Sequence, residues 1–143
     1  MNGVKLHMLT EGEASGPLMV SREPLSFWGG VNAHTGEVID RRHPLSGKML
    51  TGKILLFPGS RGSSSGSGVL LETISRRLAP AAIITTTPDA ILVLGALIAQ
   101  ELYGYSIPIA VAPHDFLEWA EEHAGYFCFL SLDGYLYSSA VPL

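Results

Sequence analysis

The 143 residues suffice for one domain with a core of its own and no disulfide support. Only 15% of them are charged, against about 25% in an average soluble domain, which fits either a surface partly covered by another chain or a dense core with little charged decoration. The net charge is −4, and the basic residues stand singly or as the pairs Arg41-Arg42 and Arg76-Arg77; that excludes a basic stripe for nucleic acid, and the longest apolar run, Ala90 to Ala99, is about half the roughly 20 residues of a membrane span.

The first residues carry no charged region followed by an apolar block, so no signal peptide is read and a cytoplasmic location is expected. "VKLHML" and "GPLMVS" read as short strands around the turn-rich "TEGEAS", because their apolar residues partly alternate. From Phe27 to Lys53 the chain is punctuated by glycines and proline with little periodicity. Loops of that length are usually functional, and its aromatic and valine residues argue for order.

At Gly52 the rhythm changes to α/β. "GKILLF" is a continuous apolar run, and in "GVLLETISRRLA" Val69, Leu70, Thr73, Ile74 and Leu78 approximate one helical face. "AAIITT" is a second buried strand, "PDAILVLGALIAQELYG" a helix with Pro88 near its start and Gly104 past its end, and "IPIAVA" a third strand. Parallel strands joined by helices are the simplest arrangement. The closing "AGYFCFLSLDGYLYSS" reads as a hairpin turning at Asp133-Gly134. The expected architecture is an α/β fold: a swivelling β/β/α domain over residues 1–143, with a central mostly parallel sheet, flanking helices and additional β-strands from both termini.

Cys128 is the single cysteine and sits among aromatic residues of a buried strand. One thiol cannot hold an iron-sulfur cluster, so any such cofactor would have to come with a partner. His34, His43, His114 and His123 have no partner fixed by spacing and read as surface or loop residues.

Chemistry concentrates in "FPGSRGSSSGSGVLLE", Phe57 to Glu72, with five serines and four glycines. Three readings compete. A linker would have to separate two domains, and neither side is large enough to be a stable one. An anion cradle suits a glycine-rich turn between strand and helix, where backbone N–H groups and the helix dipole favour negative charge; the run lacks the lysine and spacing of a Walker loop, so a carboxylate or a single phosphate fits better than a nucleotide. A reactive serine would need preorganised donors or a nearby cation, part of which Arg61 and the loop amides could supply. Thr86, Thr87, Pro88 and Asp89, where a strand enters a helix, read first as a cap, with site lining as the alternative.

"SREPLSFWGGVNAHTGEVID", "GKILLFPGSRGSSSGS", "LAPAAIITTTPDAILVLGALIAQ" and the closing hairpin together resemble the small, swivelling subunit of aconitase X type hydro-lyases, over nearly the whole chain. The resemblance implies dehydration of a small hydroxy acid. A base removes a proton beside a carboxylate while an iron-sulfur cluster, held by a large catalytic subunit and not by this chain, assists loss of the hydroxyl. The proton-accepting serine falls on Ser63, with Arg61, Gly62, Ser64, Ser65, Gly66 and Ser67 forming the anion-friendly turn around it. Phe27, Gly29 and Gly30 become candidates for substrate proximity, with Phe27 and Trp28 walling the site. The partner implied is the large subunit, in a heterodimer or higher assembly; alone, the chain could form a homo-oligomer through the surface meant for that partner. The family divides between cis-3-hydroxy-L-proline and mevalonate 5-phosphate, and Ser64 and Ser65 make the loop more similar to the hydroxyproline branch. A non-catalytic small-anion-binding module is the competing class.

Overall fold

The computed structural model describes residues 3–62 and 64–142. Along them run β1 (Val4–Lys5), β2 (His7–Thr10), β3 (Ala14–Val20), α1 (Phe27–Gly30), β4 (Ile54–Phe57), α2 (Gly66–Ser75), β5 (Ala82–Thr85), α3 (Ala90–Tyr103), β6 (Ile109–Val111), α4 (Phe116–Glu122), β7 (Tyr126–Leu130) and β8 (Tyr135–Pro142). The strands are ordered β1-β8-β7-β3-β4-β5-β6-β2. Within this sheet β3, β4, β5 and β6 are parallel, and the remaining pairings are antiparallel.

The first and last strands of that order are consecutive in sequence. The single strand expected at "VKLHML" is bent at Leu6, whose N–H donates to Gly134 O at 2.8 Å. Its first part pairs with β8 and its second with β6, so one segment closes both edges and the sheet curls nearly into a barrel. Closure leaves few unpaired backbone groups to satisfy.

Apolar side chains then fill two cores. Inside the curl, Leu6, Leu18, Ile54, Leu56, Ile84, Cys128, Leu130 and Leu136 meet Phe116, Leu117 and Ala120 of α4. On the outer face of the parallel strands, Leu55, Phe57 and Ile83 pack under Leu70 and Ile74 of α2 and Leu92, Ala96 and Ala99 of α3. β4 and β5 are buried at every position, which is why they read as uninterrupted apolar runs. The result is the β/β/α layering expected from the sequence.

Boundaries follow local chemistry. α3 is capped by Asp89, whose carboxylate accepts from Leu92 N–H, and ends at Gly104 with φ 74°; both signals were legible. α2 begins at Gly66, one residue pair earlier than the periodicity suggests. It stops at Ser75 because Arg77 turns into the left-handed region (φ 63°), where its guanidinium lies 3.7 Å over the Tyr105 ring. α4 went unread in the sequence. The long segment from Phe27 to Lys53 is ordered, as its apolar residues implied: bridges Val31–Val38 and Glu37–Met49 tie it together, and Val38 and Leu50 enter the α2/α3 core. His43 belongs to this segment but is buried, taking Leu45 N–H on Nδ1 at 3.1 Å. Among the described residues no helix is long and apolar enough to cross a membrane.

Candidate active site

β4 and β5 end, and α2 and α3 begin, on one edge of the sheet. In α/β folds this carboxyl edge is where crevices form, and two helix amino termini give it a positive bias. The serine loop crosses it between β4 and α2. Beside the loop's stem lies a cleft of about 380 Å³, lined by Pro24, Pro58, Gly59, Ser60, Thr87, Asp89 and Ile91 among others.

The stem is fastened from the neighbouring strand end. Thr87 Oγ1 donates to Pro58 O at 3.0 Å, and the Asp89 carboxylate accepts Ser60 N–H at 2.5 Å while its other oxygen holds Leu92 N–H at 3.1 Å. Leu25 N–H donates to Gly59 O at 3.2 Å, tying the stem to the residues just before α1. At the far end of the loop, Ser67 Oγ donates to Ser64 O at 2.9 Å, and the Ser67 and Gly68 N–H groups point to the Ser64 and Ser65 carbonyls. Those two amides are spent inside the turn.

Ser63 lies outside the described residues. Its chain neighbours Gly62 and Ser64 are exposed, and Gly62 has φ 77°, a conformation that costs glycine little. Arg61 is exposed and makes no ion pair among the described residues. Ser65 is exposed, Ser67 is half-buried, and Gly66 is buried, a Cβ there falling 3.4 Å from Ile91 and 3.7 Å from Phe27. The loop is thus presented to solvent by a buried foot.

The aromatic wall is differently built from the expectation. Phe27 is only 1% exposed and belongs to the α2/α3 core, and Gly30 is buried against Leu25. Both support the site from beneath. Gly29, at φ 78°, makes the turn that leaves Trp28 59% exposed, with its backbone N 3.9 Å from a Cβ placed on Gly66. Sequence reasoning did not single out Ser60 or the bonds from Thr87 and Asp89 to the loop's stem. The signal was present in "TTTPD", which offered a cap and concealed a second use of the same carboxylate. Among the described residues Ser60 Oγ and Thr86 Oγ1 are buried without a hydrogen-bond partner, and such groups recur at functional sites.

Residues 3–124 match the family model of the aconitase X swivel domain. The chain belongs to this family. A solved structure, the holo form of Thermococcus kodakaraensis aconitase X, is similar to the swivel domain at a TM-score of 0.83 and 31% identity, covering 97% of this chain and 99% of that one. Cis-3-hydroxy-L-proline dehydratase of Pseudomonas aeruginosa is 54% identical over 112 residues, 78% of this chain and 19% of that protein. The enzyme of the same name from Hypocrea jecorina is 52% identical over 75% of this chain and 18% of its own length. The swivel domain therefore spans about a fifth of these two relatives. The phosphomevalonate dehydratase small subunit of Methanothermobacter thermautotrophicus is 46% identical over 67% of this chain and 73% of its own length.

The donor set of the swivel domain does not suit an iron-sulfur cluster. Cys128, the one cysteine, is 1% exposed, and burial pushes its thiol pKa up, away from the thiolate that ligation needs. Among the described residues no three His, Cys, Asp or Glu side chains are grouped to hold a metal.

Proposed function

We propose that this chain is the small, swivelling part of an aconitase X type dehydratase and that it supplies the proton-accepting Ser63 to a substrate held against a large partner. The observation that carries the reading is family membership combined with the serine loop's position: it is exposed at the carboxyl edge of the parallel strands, with its stem and foot both anchored. The iron-sulfur centre of the assembled enzyme belongs to the large subunit, and cis-3-hydroxy-L-proline is the substrate. Greater identity to the hydroxyproline dehydratases (54%) than to the phosphomevalonate dehydratase small subunit (46%) supports that choice.

Within this reading the residues divide the work by position. Arg61 and the loop amides before Ser67 hold the substrate carboxylate. That neutralises the charge next to the carbon that must lose a proton. Ser63 takes the proton as its alkoxide, formed when the hydroxyl gives its own proton to solvent and stabilised by Arg61 and the surrounding donors; a fixed short approach favours the transfer, which returns the neutral hydroxyl. Trp28 covers the loop from the solvent side in the assembly and excludes water.

Reconstitution with the large subunit tests the reading. The pair should dehydrate cis-3-hydroxy-L-proline faster than mevalonate 5-phosphate, and neither chain should be active alone. Ser63→Ala should assemble normally and lose at least about 100-fold in kcat. Full turnover in that variant would remove Ser63 from the mechanism, and preference for mevalonate 5-phosphate would move the chain to the other branch of the family.

A further inference from the structure

The geometry points to Asp89 as a positioning residue that sets the height and angle of the serine loop. This inference rests on the proposed role of Ser63. A helix cap needs one acceptor oxygen, and the Leu92 N–H supplies its donor at 3.1 Å. The second oxygen is free for other use and takes Ser60 N–H at 2.5 Å. Ser60 is three residues before Ser63, so one carboxylate joins the rigid start of α3 to the stem of the loop that carries the base.

Three further observations make this a device and not a chance contact. Asp89 is 8% exposed, so its two bonds are shielded from competing water. A Cβ on Gly59 would fall 3.2 Å from the same carboxylate oxygen, so the stem approaches closely because residue 59 has no side chain. Thr87, two residues earlier, holds Pro58 O at 3.0 Å, which fixes the stem at a second point. The arrangement also resolves an electrostatic conflict. A carboxylate beside an anion site would repel the substrate, but this one faces two N–H donors and the positive end of α3, which disperse its charge.

Two substitutions separate positioning from capping. Asp89→Asn keeps shape and one acceptor for Leu92 N–H but turns an amide NH₂ toward Ser60 N–H. Asp89→Ser keeps a favourable cap and cannot reach Ser60 at all. Both should assemble with the large subunit and bind substrate with KM within about threefold of the parent, while kcat falls about 10- to 100-fold, the size expected when a reacting group is displaced by a fraction of an ångström to an ångström. In the chain without its partner, hydrogen exchange at the Ser60 amide should accelerate at least tenfold in both variants, with the amides inside α3 unchanged.

Unchanged exchange at Ser60 in both variants overturns the inference whatever the kinetics show. So does unchanged kcat in the Asp89 variants when Ser63→Ala is inactive. If Ser63→Ala keeps full turnover, the base assignment fails on its own account, and faster exchange at Ser60 still upholds Asp89 as the fastener of the loop.

Discussion

Replacing Gly95 with Ala sets two effects of known size against each other. Gly95 lies inside α3, where alanine would gain about 0.8–1.0 kcal/mol of helix propensity. A Cβ there, however, would sit 2.7 Å from Ser67 O and 3.3 Å from Ser67 Cα on α2. Carbon and oxygen settle at about 3.3 Å, so α2 has to retreat by about 0.6 Å or the helices tilt, and overpacking of this kind costs about 1–3 kcal/mol. The clash is with backbone and cannot be relieved by a rotamer change. The net expectation is destabilisation by about 1 kcal/mol, or a fall of roughly 4 °C in melting temperature. Gly68→Ala provides the opposite sign on the neighbouring helix, since no described residue lies within 4 Å of its Cβ: there propensity acts alone, and stability should rise by up to about 1 kcal/mol. Thermal melts of the two variants decide the matter. In the reconstituted enzyme Gly95→Ala should also lower kcat by about tenfold, because the retreating helix carries Ser67 and the foot of the serine loop with it. A melting temperature that rises in Gly95→Ala as it does in Gly68→Ala would show that α2 and α3 do not touch there, and the close seating of the loop on α3 would have to be abandoned.

Trp28→Ala should leave the melting temperature within about 2 °C, because the indole is largely exposed, yet weaken assembly with the large subunit about tenfold or more by titration, as loss of an aromatic anchor does. Equal affinity would place Trp28 outside the interface. The Cys128 thiol, raised by burial, gives a signed pH dependence. A proton held more tightly in the folded than in the unfolded chain contributes stability below the ordinary thiol value near 9 and loses it as pH climbs past that value toward the folded one. The melting temperature of the parent should therefore fall more steeply as the pH rises above about 9 than that of Cys128→Ala; parallel curves would contradict the burial of this thiol. Thr87→Val, which removes the hydroxyl held on Pro58 O, should lower kcat less than the Asp89 variants in the same assay, since Asp89 keeps its grip on Ser60.

Much of this fold was legible because two-sided burial writes itself as unbroken apolar runs. β4, β5 and β6 showed that way, and Asp89 and Gly104 marked the ends of α3. α4 escaped because only Phe116, Leu117 and Ala120 face inward from a helix of 7 residues, too short for a period to emerge. The bend at Leu6 escaped because Leu6 is apolar on either reading; only the competing partners at Gly134 and β6 break the strand there. At the candidate site the serine loop was visible as composition, but its supports were not. Phe27 looked like a wall beside Gly29 and Gly30, whereas the turn at Gly29 sends Phe27 into the core and Trp28 outward. Asp89 was readable as a cap, and its second bond depends on a loop residue, Ser60, 29 positions away in sequence, which local pattern cannot register.

The doubly paired amino-terminal segment has a bearing on the order in which the molecule can form. His7 and Met8 pair with Val111 and Ala110, and Val4 with Leu136, so sealing the curl joins residues separated by most of the chain. Loop-closure entropy for about 100 residues is about 4 kcal/mol, a toll that falls due before the seal returns any contact. The helical side, whose strands and helices are neighbours in sequence, can organise first. The interior beneath Leu6 stays open to solvent until the final hairpin arrives, and a ribosome-bound or truncated chain would show that greasy chamber to chaperones.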